Sequence, residues 1–146
     1  MKYTSANLKR ILIVEFEHGD DLIEQLTALV KKEHILGGAI LLIGAMKKAT
    51  IVVGPEKISV PPVPVWKNFD DGREILGVGT IFWKENEPKI HIHAGFGRGD
   101  DVLIGCVRKN TEVYLVVECV IFEFDKKTEK KFNSETGIDS INFENV

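Results

Sequence analysis

Val113 to Phe124 reads VYLVVECVIFEF, apolar at nearly every position. Successive side chains of a strand point to opposite faces. Val113, Leu115, Val117, Cys119 and Ile121 therefore share one face, and Tyr114, Val116, Val120 and Phe122 the other. A strand that is apolar on both faces must be covered on both, by a helix or by another subunit.

Working outward, Val102 to Val107 (VLIGCV) is a second strand, separated from the first by a turn at Lys109-Asn110. Ile75 to Lys84 (ILGVGTIFWK) leads through Glu85 to Pro88 into a strand containing His91-Ile92-His93. Gly95, Gly97 and Gly99 then predict a loop ending in Asp100-Asp101. Nearer the N-terminus, Leu8 to Phe16 is a β-branched run that stops at His18-Gly19. Asp20 and Asp21 supply a helix N-cap, and Leu22, Leu26, Leu29 and Val30 follow at helical spacing to about Glu33. Gly37-Gly38 ends that pattern. Ala39 to Ile43 and Ala49 to Val53 read as strands divided by Gly44-Ala45, and Pro55 to Pro64 as an irregular surface segment. The tail from Asp125 is charged, with Ile138, Ile141 and Phe143 able to tack it down. One principal helix among about seven strands predicts a single α+β domain over residues 1–146, with a mostly antiparallel or mixed sheet.

The chain has 146 residues, a net charge of −3 and 44% hydrophobic residues, the profile of a soluble globular protein. That charge, with no basic stripe, gives no electrostatic footprint for nucleic acid. Cys106 and Cys119 lie in apolar runs outside any C-x-x-C, and read as buried thiols of a reducing compartment. No apolar stretch reaches the roughly 20 residues that cross a bilayer, and no signal sequence opens the chain, so the expectation is a cytoplasmic protein.

The chemistry concentrates at His91 and His93. Two residues apart on a strand, their imidazoles lie side by side and form half of a divalent-metal site, zinc above all. A third ligand is expected from Asp101, which closes the glycine loop, with Asp100 and then Glu118 as alternatives. Arg98 and Arg108 are candidates to pair a substrate carboxylate. His18 and His34 flank the helix and read as boundary residues. Gly95 to Gly99 lacks the Lys and helix start of a phosphate loop, and no serine sits in a nucleophile elbow. Either cysteine could act as a nucleophile only with His91 or His93 beside it in space.

The ordered set of motifs resembles the PPC ("plants and prokaryotes conserved") domain family. It runs from Gly19-Asp20-Asp21-Leu22 through Gly37-Gly38-Ala39-Ile40, Ile43-Gly44-Ala45 and Ile75 to Ile81. It continues through His91-Ile92-His93-Ala94 and Val102-Leu103-Ile104-Gly105 to Thr111-Glu112-Val113. The resemblance implies a homotrimer whose fold is similar to that of acetolactate decarboxylase, where a histidine cluster holds zinc. In the family pattern a G-G-H-L stretch supplies a third histidine; Gly99-Asp100-Asp101-Val102 stands there instead, so Asp101 replaces the imidazole or the site is weakened. The basic AT-hook of the plant relatives is absent from these residues. Three readings follow: a trimeric zinc-binding protein acting on a small carboxylate or keto acid, a protein-interaction module, and a DNA-associated regulator, which the acidic balance disfavours.

Overall fold

The structure, a computed structural model, describes residues 1–143. Strand β1 (Leu8–Glu17) is followed by helix α1 (Leu22–Lys32). The remaining elements are β2 (Gly38–Pro55), β3 (Pro64–Phe69), β4 (Arg73–Lys84), β5 (Glu87–Arg98), β6 (Asp101–Phe124), β7 (Lys130–Asn133) and β8 (Ile138–Ile141). Strands β1 to β6 form one antiparallel sheet in the order β1-β6-β5-β4-β2-β3, and β7-β8 is a separate hairpin. Because β2 also pairs with β6, the ladder β6–β5–β4–β2 closes on itself. This is the expected α+β fold, with one helix among the described residues.

Three expected breaks are not breaks. Gly44-Ala45 and Lys109-Asn110 lie inside single long strands, β2 and β6, whose register shifts between Gly44 and Met46 and, opposite Lys109-Asn110, between Lys48 and Thr50. Each is a bulge, an extra residue absorbed without reversing the chain. Gly44 has φ +136°, and a Cβ there would meet the Val116 carbonyl oxygen at 2.3 Å. Likewise β5 continues through Gly95 and Gly97 to Arg98, and the chain turns only at Gly99-Asp100. Strands β3, β7 and β8 had no expected counterpart. β3 is an edge strand that begins with Pro64, where a missing N–H costs no ladder bond.

The helix starts where its sequence requires. Asp21 accepts a hydrogen bond from Glu24 N at 3.1 Å, satisfying a helix donor that would otherwise have no partner. Its carboxylate also accepts from Thr111 Oγ1 at 2.7 Å, tying the cap to β6. Leu22, Leu26 and Val30 are buried against Ile40, Leu42, Ile92, Phe96, Val117 and Ile121, which line the inner face of the sheet. Val113, Val117, Cys119 and Ile121 occupy that core; Leu115, at φ +61° in the β6 bulge, leaves the alternation and is exposed.

The outer face remains apolar and open. Ile13, Val120, Leu41, Val78 and His93 are successive cross-strand partners running from β1 to β5, and the row continues to Cys106 on β6. Ile13 is 89% exposed and Val78 57%, and Ile43, Leu76 and Ile104 in the next row are exposed too.

Candidate metal centre

His91 and His93 occupy the outer face of β5, while Ile92, Ala94 and Phe96 between and beyond them fill the core. The two-residue period alone sets this. The ring centroids are 4.9 Å apart and nearly perpendicular, with Nε2 of each within 3.1 Å of the other. Across the ladder, His93 faces Cys106 on β6. Directly opposed residues of antiparallel strands share a face, so the thiol joins the imidazoles. One donor atom from each of His91, His93 and Cys106 lies within 4.8 Å of the others. Tetrahedral zinc places its nitrogen and sulfur donors about 3.3–3.7 Å apart, a spacing these three donors could reach by small side-chain rotations.

The electrostatics suit a cation-binding imidazole. Burial, then Lys130, His93 and Arg108, push His91 down to about 4, so it is neutral at pH 7 with a lone pair to offer. Burial raises the Cys106 thiol, against a smaller lowering by Arg108 and Lys130. A thiol in that setting is protonated until a metal displaces the proton. Cys119, in the core, is pushed up to about 12 by burial alone.

Asp101 lies elsewhere. It pairs with Arg98 at the hairpin tip, five ladder positions from the His93–Cys106 pair, or about 17 Å along the strands. The odd number of steps also turns it to the other face. There its carboxylate meets Arg73 Nη2 at 2.8 Å. One chain therefore does not bring Asp101 to the histidines, and the third donor beside them is Cys106. Asp100, in the same turn, is remote for the same reason. Glu118 is on the outer face but three strands from β5, opposite Ile43.

The two candidate arginines separate as well. Arg98 lies 3.5 Å from Asp71 and lines a cavity of about 590 Å³ with Asp71, Arg73 and Tyr114. Arg108 lines a different cavity, about 390 Å³, with His91 and with Lys130 of the β7-β8 hairpin. His18 accepts from Leu115 N at 3.1 Å, and His34 turns the chain after α1 at φ +53°. Both are boundary residues as expected.

Cys106 and Lys130 were missed. The signal for Cys106 was in the turn: a tight reversal at Gly99-Asp100 pairs Arg98 with Asp101, and counting back from that pair puts His93 opposite Cys106. Reading all three glycines as loop concealed it. Lys130 carries no sequence signal, because only tertiary packing delivers the hairpin to β5.

Comparison with known proteins agrees with this architecture. The structure matches a metal-containing protein from Archaeoglobus fulgidus with a TM-score of 0.85 at 23% identity, covering 97% of this chain and 99% of that one. It matches a plant- and prokaryote-conserved protein from Pyrococcus horikoshii with a TM-score of 0.84 at 23% identity, covering 97% of each chain. A protein suggested to bind DNA, from Ralstonia eutropha, superposes with a TM-score of 0.78 at 22% identity over 90% of each chain. At these identities the likeness speaks for the fold alone. No curated protein matches. Among the described residues no helix is long and apolar enough to cross a membrane. The sequence itself matches the Plants and Prokaryotes Conserved (PCC) domain over residues 3–125, most of its length, and the chain belongs to that family.

Proposed function

We propose that this chain is a zinc-binding domain that works as a homotrimer and presents the ion to a small carboxylate ligand. The observation that carries this reading is the convergence of His91, His93 and Cys106 within 4.8 Å. Two neutral imidazoles and a thiolate are donors that zinc prefers over magnesium or calcium, which favour oxygen. Three protein ligands would leave a fourth position for water or a ligand, the arrangement of zinc sites that activate or bind small molecules. The metal-containing relative from Archaeoglobus fulgidus supports the same reading. Asp101 can serve such an ion only across a subunit boundary.

Assembly is supported by the outer face. Ile13, Leu41, Ile43, Leu76, Val78 and Ile104 form an apolar surface on which a monomer spends no cover, and such surfaces are interfaces in soluble proteins. The family resemblance favours three-fold over two-fold closure. The candidate centre sits at the end of this surface, so the ion would lie near a subunit boundary.

Elemental analysis of the purified chain, with and without chelator, tests the proposal. About one zinc per chain is expected, falling to background in His91→Ala and in His93→Ala. Retention of zinc at the wild-type level by both variants would show that the histidines are not ligands.

A further inference from the structure

Beside the candidate centre is a cavity of about 390 Å³ whose charge is one-sided. Lys89, Arg108 and Lys130 line it against one acid, Asp139. That acid is already engaged, with its Oδ1 2.7 Å from Lys84 Nζ. Among the described residues neither Arg108 nor Lys130 has an ion-pair partner, and Lys130 instead rests its ammonium 5.9 Å from the Phe82 ring. Lys130 is half-buried while Arg108 and Lys89 are exposed; like charges gathered around one cavity repel, and a bound anion relieves that repulsion.

The wall that carries Lys130 is fixed in place. Trp83 N donates to Thr128 O at 2.9 Å, which fastens the base of the β7-β8 hairpin to β4, and Asn142 N donates to Glu129 O at 2.8 Å, which closes the hairpin's open end. Lys84 bridges to it through Asp139 and lies over the Phe132 ring at 5.8 Å. The hairpin therefore holds Lys130 opposite Arg108, with His91 in the same cavity. Ile90 and Ile138 give the remaining lining an apolar character suited to a short carbon chain.

We infer that this cavity is the ligand-binding half of the centre: Arg108 and Lys130 hold the oxyanion of a small acid, a carboxylate in preference to inorganic phosphate, beside His91. The ion of the proposed function would contact the same ligand on its other side, so the inference rests in part on that reading. Lys130 is then the residue that makes the hairpin a determinant of ligand charge. Arg108 offers a planar fork for the carboxylate, and Lys130 a compact second charge.

Titration of zinc-loaded and metal-free protein with pyruvate, and separately with inorganic phosphate, followed by NMR amide shifts, tests this. Pyruvate is expected to shift amides of Lys89 to His91, Arg108 and Lys130. Lys130→Met and Arg108→Met should each weaken binding about tenfold or more, while Lys130→Arg restores it to within about threefold. Zinc content should be unchanged in all three, which separates this subsite from the metal ligands. Phosphate binding at the same amides in place of pyruvate keeps the oxyanion subsite and overturns the preference for a carboxylate. Absence of binding by both anions, or equal binding by wild type and Lys130→Met, overturns the inference. A chain that takes up no zinc yet binds pyruvate through Lys130 refutes the metal reading alone.

Discussion

Asp101 Oδ2 lies 2.8 Å from Arg73 Nη2, so the aspartate that sequence placed at the metal instead closes an ion pair on a buried guanidinium. Arg73 is only 8% exposed, and Asp71 also holds it through Oδ1 at 2.8 Å from Nε. Its two carboxylate partners and the Phe69 ring, 5.3 Å away, make Arg73 the fastening between the start of β4 and the tip of the β5-β6 hairpin.

This relationship separates two candidate third ligands. Asp101→Asn should retain zinc within about twofold and cost no more than about 1 kcal/mol of stability, since Asp101 is exposed and Asp71 keeps Arg73 paired. Cys106→Ala should weaken zinc binding by about tenfold or more. Competition against a chromogenic chelator measures both. The reverse ranking would place Asp101 in the centre across a subunit boundary.

Acid should act on stability partly through Glu123, which is 1% exposed and bound by Arg10 and Lys9. Burial alone would raise this carboxyl, but the hydrogen bonds from Arg10 and Lys9 more than reverse that and hold it below its ordinary value of 4.5. A depressed folded pKa gives stability that is complete above the unfolded value and lost as pH falls through the folded one. Chemical denaturation from pH 7 down to 3 should therefore show a decline beginning below about pH 4.5. Arg10→Met should lower stability at pH 7, by less than the loss of a fully enclosed pair because Arg10 is 39% exposed. A variant as stable as wild type at pH 7 would mean Lys9 alone suffices.

Gly44 and Gly54 provide a controlled comparison. Both have positive φ, +136° and +130°, but a Cβ at Gly54 meets nothing within 4 Å, whereas at Gly44 it meets backbone at 2.3 Å. Gly54→Ala should cost roughly 1 kcal/mol from conformation alone. Gly44→Ala should cost about 3 kcal/mol or more, because the β2-β6 ladder must move apart. Equal losses in thermal unfolding would show that the bulge yields easily.

Leu76 probes assembly without disturbing the core, being 71% exposed in a single chain. Light scattering of wild type should give three times the 16.4 kDa chain mass across micromolar dilution. Leu76→Asp should lower that mass while keeping the wild-type circular dichroism spectrum. A folded wild type at the mass of one chain would remove the trimer.

Duplex DNA should bind weakly and without sequence preference, because a net charge of −3 leaves little counterion release to drive association. Electrophoretic mobility shifts at about 150 mM salt measure this. A tight, strongly salt-dependent shift by this chain alone would favour a regulatory role.

What the sequence determined by itself is whatever depends on local periodicity. The two-residue period of a strand placed His91 and His93 on one face and Ile92 in the core. Helical spacing and the Asp21 cap fixed α1, and the doubly apolar run of Val113 to Phe124 announced a face in need of cover. Non-local register decided the rest. Gly44 reads as a break and Asn110 as a turn in sequence, yet continuous pairing with a neighbouring strand absorbs both as bulges, since breaking the ladder would leave backbone groups without partners. Cys106 stands beside His93 only because the chain reverses at Gly99-Asp100 and nowhere earlier. Lys130 reaches His91's cavity because Thr128, two residues before it, bonds to the backbone of Leu36 and Trp83, residues far away along the chain. Periodicity assigns a side chain to a face; only the tertiary ladder decides which other side chains share that place on it.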